Sequence, residues 1–308
     1  MSLNKRRKMT LKALTRLEPN VKSAYKIMRR FSTAASRFYT VPLSYTVWDG
    51  EIINGEHSIP IRIFGPLHDY TESLLLFFHG GGWVTGNIDS YSHICSRMAK
   101  ITNSIVVSVD YRLAPEHKFP TGLMDCYTVA KTLLTDGSLE INPKNITLVG
   151  DSAGGNIAAA LSLMARDIGD FLPTRQILLY PSTYNDHSPA SPFQSVHENG
   201  EGFILTSKRI SDYTELYRSS DDDLNNPYFA PLLAKDFSNQ PETLIISAQY
   251  DLLRDEGEEY GRRLAEAGNK VRIHRINNAL HGFISLPPKA AQVKEAYSVI
   301  NDFLYGNK

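Results

Sequence analysis

The apolar run Ile146-Thr147-Leu148-Val149 leads directly into Gly150-Asp151-Ser152-Ala153-Gly154, and from there into the helix-favouring stretch Gly155-Asn156-Ile157-Ala158-Ala159-Ala160-Leu161. A G-x-S-x-G pentapeptide at a strand-to-helix junction constrains the fold strongly. The chain must reverse so sharply that its central residue is lifted into a strained conformation, and any side chain two residues to either side would crowd the turn. Such a turn presents the Ser152 hydroxyl at the edge of a sheet as a candidate nucleophile. The same five residue types also occur in ordinary turns, so the reading depends on an oxyanion site, an acid and a histidine placed elsewhere in a compatible order.

Upstream, Leu74-Leu75-Leu76-Phe77-Phe78 reads as a fully buried strand that delivers His79-Gly80-Gly81-Gly82-Trp83. Backbone N–H groups in a glycine run can approach a substrate oxygen without side-chain obstruction, the arrangement of an HGGG-type oxyanion loop. Charge develops on the carbonyl oxygen during acyl transfer, and fixed donors aimed at it commonly supply the largest electrostatic contribution. Gly81, Gly82 and the N–H of Ala153 are the candidate donors. A glycine-rich loop that only reverses the chain is the simpler alternative.

Downstream, Thr243-Leu244-Ile245-Ile246-Ser247-Ala248 is a second buried run, followed by Gln249-Tyr250-Asp251 and Leu253-Arg254-Asp255-Glu256-Gly257. An acid at the C-terminal end of a parallel strand sits where open α/β sheets place their functional groups, which favours Asp251 over its neighbour Asp255. A last strand over residues 271–276 leads through Asn277 and Asn278 to a loop carrying His281. Of the other histidines, His274 lies within that strand, His79 and His117 sit in loops already accounted for, and His187 and His197 fall in a polar insertion. His57, His68 and His93 flank the first buried strand with no path to Ser152. The order Ser152, Asp251, His281 differs from both unrelated protease orders.

These residues, together with Tyr111-Arg112-Leu113-Ala114-Pro115-Glu116-His117 and His281-Gly282-Phe283, give the chain its resemblance. From about residue 40 to the C-terminus it resembles the hormone-sensitive-lipase branch of the α/β-hydrolase esterases. The resemblance implies an α/β-hydrolase fold with a helical cap, a serine carboxylesterase acting on short-chain esters, and a bracing role for Arg112, Glu116 and the Pro115 turn of the 111–117 segment beneath the oxyanion glycines. It also implies that N-terminal helices join an insertion after the sixth strand, here residues 187–226, to form the cap. One departure stands out: the family usually has proline directly after the acid, where this chain has Leu252. An amidase or deacetylase using the same three residues remains an alternative, as does a ligand receptor of this fold that has lost catalysis, although the latter lacks the histidine kept here.

Apolar strands alternate with helical stretches at residues 90–100, 121–134 and 257–267, which predicts a mostly parallel central sheet flanked by helices. Residues 41–66, with a turn at Asn54-Gly55, read as an antiparallel hairpin opening that sheet. In the insertion, Phe203, Tyr213 and Tyr217, with Trp83 beside the glycines, could line an acyl or alcohol pocket or pack the cap onto the body; the sequence leaves both open. No metal-ligand spacing and no Cys-x-x-Cys pair is present, so neither metal nor cofactor is expected. Cys95 and Cys126 fall in separate predicted helices, no apolar run approaches the roughly 18 residues that span a bilayer, and no apolar segment of a signal peptide follows the basic start. A cytoplasmic protein acting on a small-molecule ester is the resulting expectation, with no nucleic-acid partner; a homodimer is compatible, though no surface stripe marks its interface.

The formal net charge of +0 conceals an asymmetry: residues 1–40 hold eleven of the 33 Lys/Arg but one of the 33 acidic residues, Glu18, which leaves 22 basic and 32 acidic residues for positions 41–308. Within this basic arm Leu11, Leu14, Val21, Ala24, Met28 and Phe31 recur at helical steps, with a break near Pro19. The arm reads as a cap helix facing the acidic body, with a membrane-surface anchor or a targeting presequence as rivals.

Overall fold

Strand β3 (Leu74–Phe78) is buried at every position, and alternate side chains serve opposite cores. Leu74, Leu76 and Phe78 join one apolar cluster, and Leu75 and Phe77 join another. A strand covered on both faces has no reason to alternate polar with apolar residues, which is why it appears in the sequence as an unbroken apolar run. The computed structural model describes residues 20–36, 45–55, 57–66, 72–136 and 141–306.

The hairpin β1 (Tyr45–Asn54) and β2 (His57–Pro66) pairs Asn54 with His57 across the turn, where Gly55 takes a φ of +62°. It opens an eight-stranded sheet of order β1-β2-β4-β3-β5-β6-β7-β8, with β4 at Ile105–Val109, β5 at Ile146–Asp151, β6 at Arg175–Leu179, β7 at Glu242–Tyr250 and β8 at Val271–Leu280. Among the described residues only the β1–β2 and β2–β4 pairs are antiparallel. The chain runs outward from β3 to β4 and then crosses to β5 on the other side, so β3 and β5 part at a topological switch point. Ligands of open α/β sheets bind in the crevice above such a point.

Helices α2 (Ile88–Thr102) and α8 (Ala291–Tyr305) cover one face through Ile94, Met98, Val293, Tyr297 and Ile300. The other face is covered by α3 (Thr121–Thr135), α4 (Ala153–Ile168) and α7 (Arg254–Glu266) through Leu123, Ala130, Ile157, Leu161, Tyr260 and Leu264. Cys95 and Cys126 are free, buried and assigned to opposite cores, so the sheet lies between them. Helix α7 starts three residues earlier than the sequence predicts. Asp255 and Glu256 belong to its first turn, where carboxylates favour the helix dipole. Strand β8 likewise continues through Asn277 and Asn278 to Leu280, with Asn278 at a φ of +56° absorbing a register shift opposite Ala248 and Tyr250.

Three further helices belong to neither of these layers. Helices α5 (Gln194–Asn199) and α6 (Ser207–Tyr217) occupy the segment between β6 and β7. Helix α1 (Val21–Ser36) packs against α2 and α6. Its predicted apolar stripe is only partly realised: Val21 is buried and Met28 packs on the core, whereas Phe31 is 72% exposed and Tyr25 takes a packing role instead. Leu11 and Leu14 lie outside the described residues, as does His68.

Candidate active site

Ser152 adopts φ +54° and ψ −115°, a conformation that side chains rarely occupy. What holds it there is crowding. A Cβ on Gly150 would lie 2.1 Å from the Gly154 carbonyl oxygen, and one on Gly154 would lie 1.9 Å from that of Phe78. Leu179 accepts the Ser152 N–H at 2.9 Å, and the Ser152 carbonyl receives the Asn156 N–H at 3.0 Å. The turn is thereby tied to β6 on one side and to α4 on the other.

Three side chains from three strand ends meet over it. His281 follows β8 directly, and its Nε2 lies 2.9 Å from Ser152 Oγ, while its Nδ1 lies 2.7 Å from Asp251 Oδ2. The other Asp251 oxygen accepts the Leu253 N–H at 3.1 Å, which fixes the carboxylate's orientation. Asp255 is engaged elsewhere: it pairs with Arg254 at 2.7 Å and accepts the Ser195 N–H at 2.6 Å, anchoring α5. Leu252, in place of the family's proline, is fully buried with Leu253 against Val196, Leu205 and Ile210, so the acid loop is packed onto the insertion rather than stiffened by a ring.

The glycine loop leaves β3 beside this group. Gly81 and Gly82 take φ values of +117° and +62°, and the Gly81 carbonyl accepts the N–H groups of Val84 at 3.2 Å and Thr85 at 2.9 Å. Neither Gly81 nor Gly82 donates its own N–H to an acceptor among the described residues. Ala153 opens α4, whose N-terminus adds a partial positive charge at the same place. His79 is no rival base: burial without a compensating charge pushes its pKa down to about 4, and its ring stacks on Tyr111 at 4.3 Å.

The 111–117 segment braces the loop through Tyr111, whose hydroxyl donates to the His79 carbonyl at 2.7 Å, and through the Ala114 N–H, which donates to Trp83 at 2.9 Å. Arg112 turns away to pair bidentately with Asp125 on α3. Helix α1 reaches the same loop, a contact with no sequence signal. Arg29 donates to the Val84 carbonyl at 2.7 Å and the Ala114 carbonyl at 2.8 Å, and pairs with Glu116 at 2.9 Å. Lys22 pairs with Glu215 on α6. Arg29→Ala removes about 1–2 kcal/mol, mostly from the two carbonyls because the Glu116 pair is solvent-screened, and lowers Tm by about 1.5–3 °C. Calorimetry checks this, and an unchanged Tm would detach α1 from the loop.

The four candidate pocket residues separate. Tyr213 packs directly on the oxyanion loop, where a Cβ on Gly82 would come within 2.4 Å of its ring. Trp83 and Tyr217 stack face to face at 4.6 Å with Phe229 behind them, and both are almost fully buried. Trp83 Nε1 donates to Asn156 at 3.3 Å. Their packing holds α6 to the body. Phe203 stacks on Tyr250 at 5.8 Å and borders a cavity of about 430 Å³ with Val196, His197 and Glu201. Ser152 and His281 are not among its walls. Sequence reasoning also missed the buried pair His187–Glu256, at 2.7 Å, in which Glu256 additionally accepts the N–H groups of Thr183 and Tyr184. His274, read as a strand residue, meets Glu295 of α8 at 2.9 Å.

Comparison with known proteins places this arrangement in a family. Residues 75–285 match the family model described as the alpha/beta hydrolase fold. The chain is 38% identical over 240 residues to an arylesterase of Saccharolobus solfataricus, covering 77% of each. It is 33% identical over 249 residues to an ethyl acetate hydrolase of Pseudomonas putida, covering 79% of this chain and 75% of that one. Among solved structures, a hyperthermophilic esterase from the archaeon Pyrobaculum calidifontis superposes with a TM-score of 0.88 at 34% identity, covering 99% of this chain and 98% of that one. The chain belongs to the α/β-hydrolase family, on its esterase branch.

Proposed function

We propose that the protein is a serine carboxylesterase working through an acyl-enzyme. The observation that carries the reading is the continuous line Ser152 Oγ, His281 Nε2, His281 Nδ1, Asp251 Oδ2, with spacings of 2.9 and 2.7 Å at its two hydrogen bonds. As Ser152 Oγ attacks the ester carbonyl, His281 takes its proton on Nε2. Asp251 keeps the proton on Nδ1 and stabilises the imidazolium. The N–H groups of Gly81, Gly82 and Ala153 receive the oxyanion. His281 then protonates the departing alkoxide, and water repeats the cycle on the acyl-enzyme.

Short-chain esters fit best. Tyr213 pressed on Gly82 restricts the space above the oxyanion loop, and one relative is named for ethyl acetate. The α1 contacts with the oxyanion loop and α6 support the cap reading of the basic arm, with residues 187–226 as its second part. We place the protein in the cytoplasm on its two free thiols, held apart by the sheet. A p-nitrophenyl ester series from acetate to palmitate, run beside the matching anilides, tests the reading. Turnover highest on the short esters supports it. Faster anilide cleavage would make the protein an amidase, and no ester turnover would refute the esterase reading.

A further inference from the structure

Asp151 has no part in the cycle above, yet it is 3% exposed and its carboxylate is tied to the oxyanion loop and to the tyrosine that stands against His281. A carboxylate buried to that degree needs hydrogen-bond partners. Its Oδ1 accepts the Gly80 N–H at 2.7 Å, and its Oδ2 accepts the hydroxyls of Tyr91 at 3.2 Å and Tyr180 at 3.3 Å. Gly80 is the residue that sets the start of the oxyanion glycines. Tyr180, at a φ of +36°, stands edge-on to the His281 ring with 4.9 Å between centroids. One side chain therefore joins the nucleophile turn, through its own backbone, to the oxyanion loop and to the wall of the histidine.

We propose that Asp151 is a positioning residue that latches Gly80–Gly82 to the nucleophile turn and places a second negative charge behind His281, favouring the imidazolium formed when Ser152 loses its proton. The proposal rests on the esterase reading of Ser152. The groups facing this carboxylate are Tyr91 and Cys95 from α2, Tyr111 from the loop after β4, Tyr180 from the end of β6, and His281 with Asp251 beyond it. The tyrosines and Cys95 are held protonated by burial, so His281 is the cation that the charge can serve.

Burial pushes the Asp151 carboxyl up to about 6 against its hydrogen bonds and the attraction of His281. A carboxyl whose pKa is raised on folding stabilises the fold while protonated, below its unfolded value, and that contribution is lost as pH rises through about 6. At neutral pH the ionised Asp151 thus costs stability.

The test compares Asp151→Asn, Asp151→Ala, Tyr91→Phe and Ser152→Ala in the full chain. Asp151→Asn keeps an acceptor for Gly80 but not the charge. Its kcat falls about tenfold with KM nearly unchanged, and the acid limb of kcat/KM moves down by about half a pH unit because His281 loses a neighbouring anion. Its Tm rises at pH 8 relative to the parent and does not rise at pH 4. Asp151→Ala also frees the loop, and kcat falls by about a hundredfold. Tyr91→Phe shifts the acid limb in the same direction by less, and serves as the reporter if Asp151→Asn does not accumulate as folded protein. Acid limbs superimposable on the parent in the folded variants overturn the proposal. So does a Tm loss equal at both pH values, with activity falling only as the folded fraction. Activity surviving in Ser152→Ala would instead overturn the esterase reading on which the proposal rests.

Discussion

Ser152→Ala lowers kcat on p-nitrophenyl acetate by at least about four decades while leaving Tm within about 2 °C of the parent. The magnitude follows from interdependence. His281 can deliver basicity only to a hydroxyl held at its Nε2, and Asp251 can stabilise an imidazolium only if one forms, so removing the hydroxyl silences all three. Alanine retains the backbone hydrogen bonds to Leu179 and Asn156 that hold the turn, and the change removes a single oxygen atom, so no large cavity opens. Stopped-flow and calorimetric measurements on the same preparation separate chemistry from folding. Retention of a tenth of the parent kcat would show that another group makes the acyl bond.

Gly154→Ala damages the protein in the opposite way, through the fold first. The added methyl would sit 1.9 Å from the Phe78 carbonyl oxygen, 2.6 Å from its carbon and 2.8 Å from the His79 carbonyl oxygen. All three are backbone atoms at the end of β3, and they can yield only by displacing the glycine loop. The expected cost is at least about 3 kcal/mol, seen as a Tm lower by at least about 5 °C. The remaining folded enzyme loses activity as well, because the displaced segment carries Gly81 and Gly82. A Gly154→Ala variant that melts with the parent would mean that β3 and α4 do not approach as closely as described.

The central strands were legible in the sequence because burial on both faces leaves an apolar run that nothing interrupts, as in Leu74 to Phe78. Apolar runs also made Ser152 and Asp251 stand out as candidates, whereas His281 follows a strand with many exposed positions and was singled out by chain order and by exclusion of the other histidines. Asp151 was not legible, because it occupies the variable place of its own motif and its partners Gly80, Tyr91 and Tyr180 come from three distant segments. His187 looked like part of a polar surface insertion. Its burial depends on Glu256, 69 residues away and itself hidden in what read as a loop. Helical periodicity placed Phe31 on the apolar stripe of α1, yet docking against α2 and α6 chose a different side and left that ring in solvent. Among the aromatic candidates the sequence could not distinguish Tyr213, pressed on Gly82, from Trp83 and Tyr217, stacked behind it. Their separation is set by the angle at which α6 meets the body, a property of packing rather than of spacing.

The most direct measurement is mass mapping of the protein after reaction with a p-nitrophenyl phosphonate, which leaves phosphorus covalently bound to the attacking atom. One equivalent of label on the peptide containing Ser152, released p-nitrophenol in equal amount, and labelling abolished in His281→Ala are the predicted results. Full inactivation with the label on any other residue, or none on Ser152, would contradict the account.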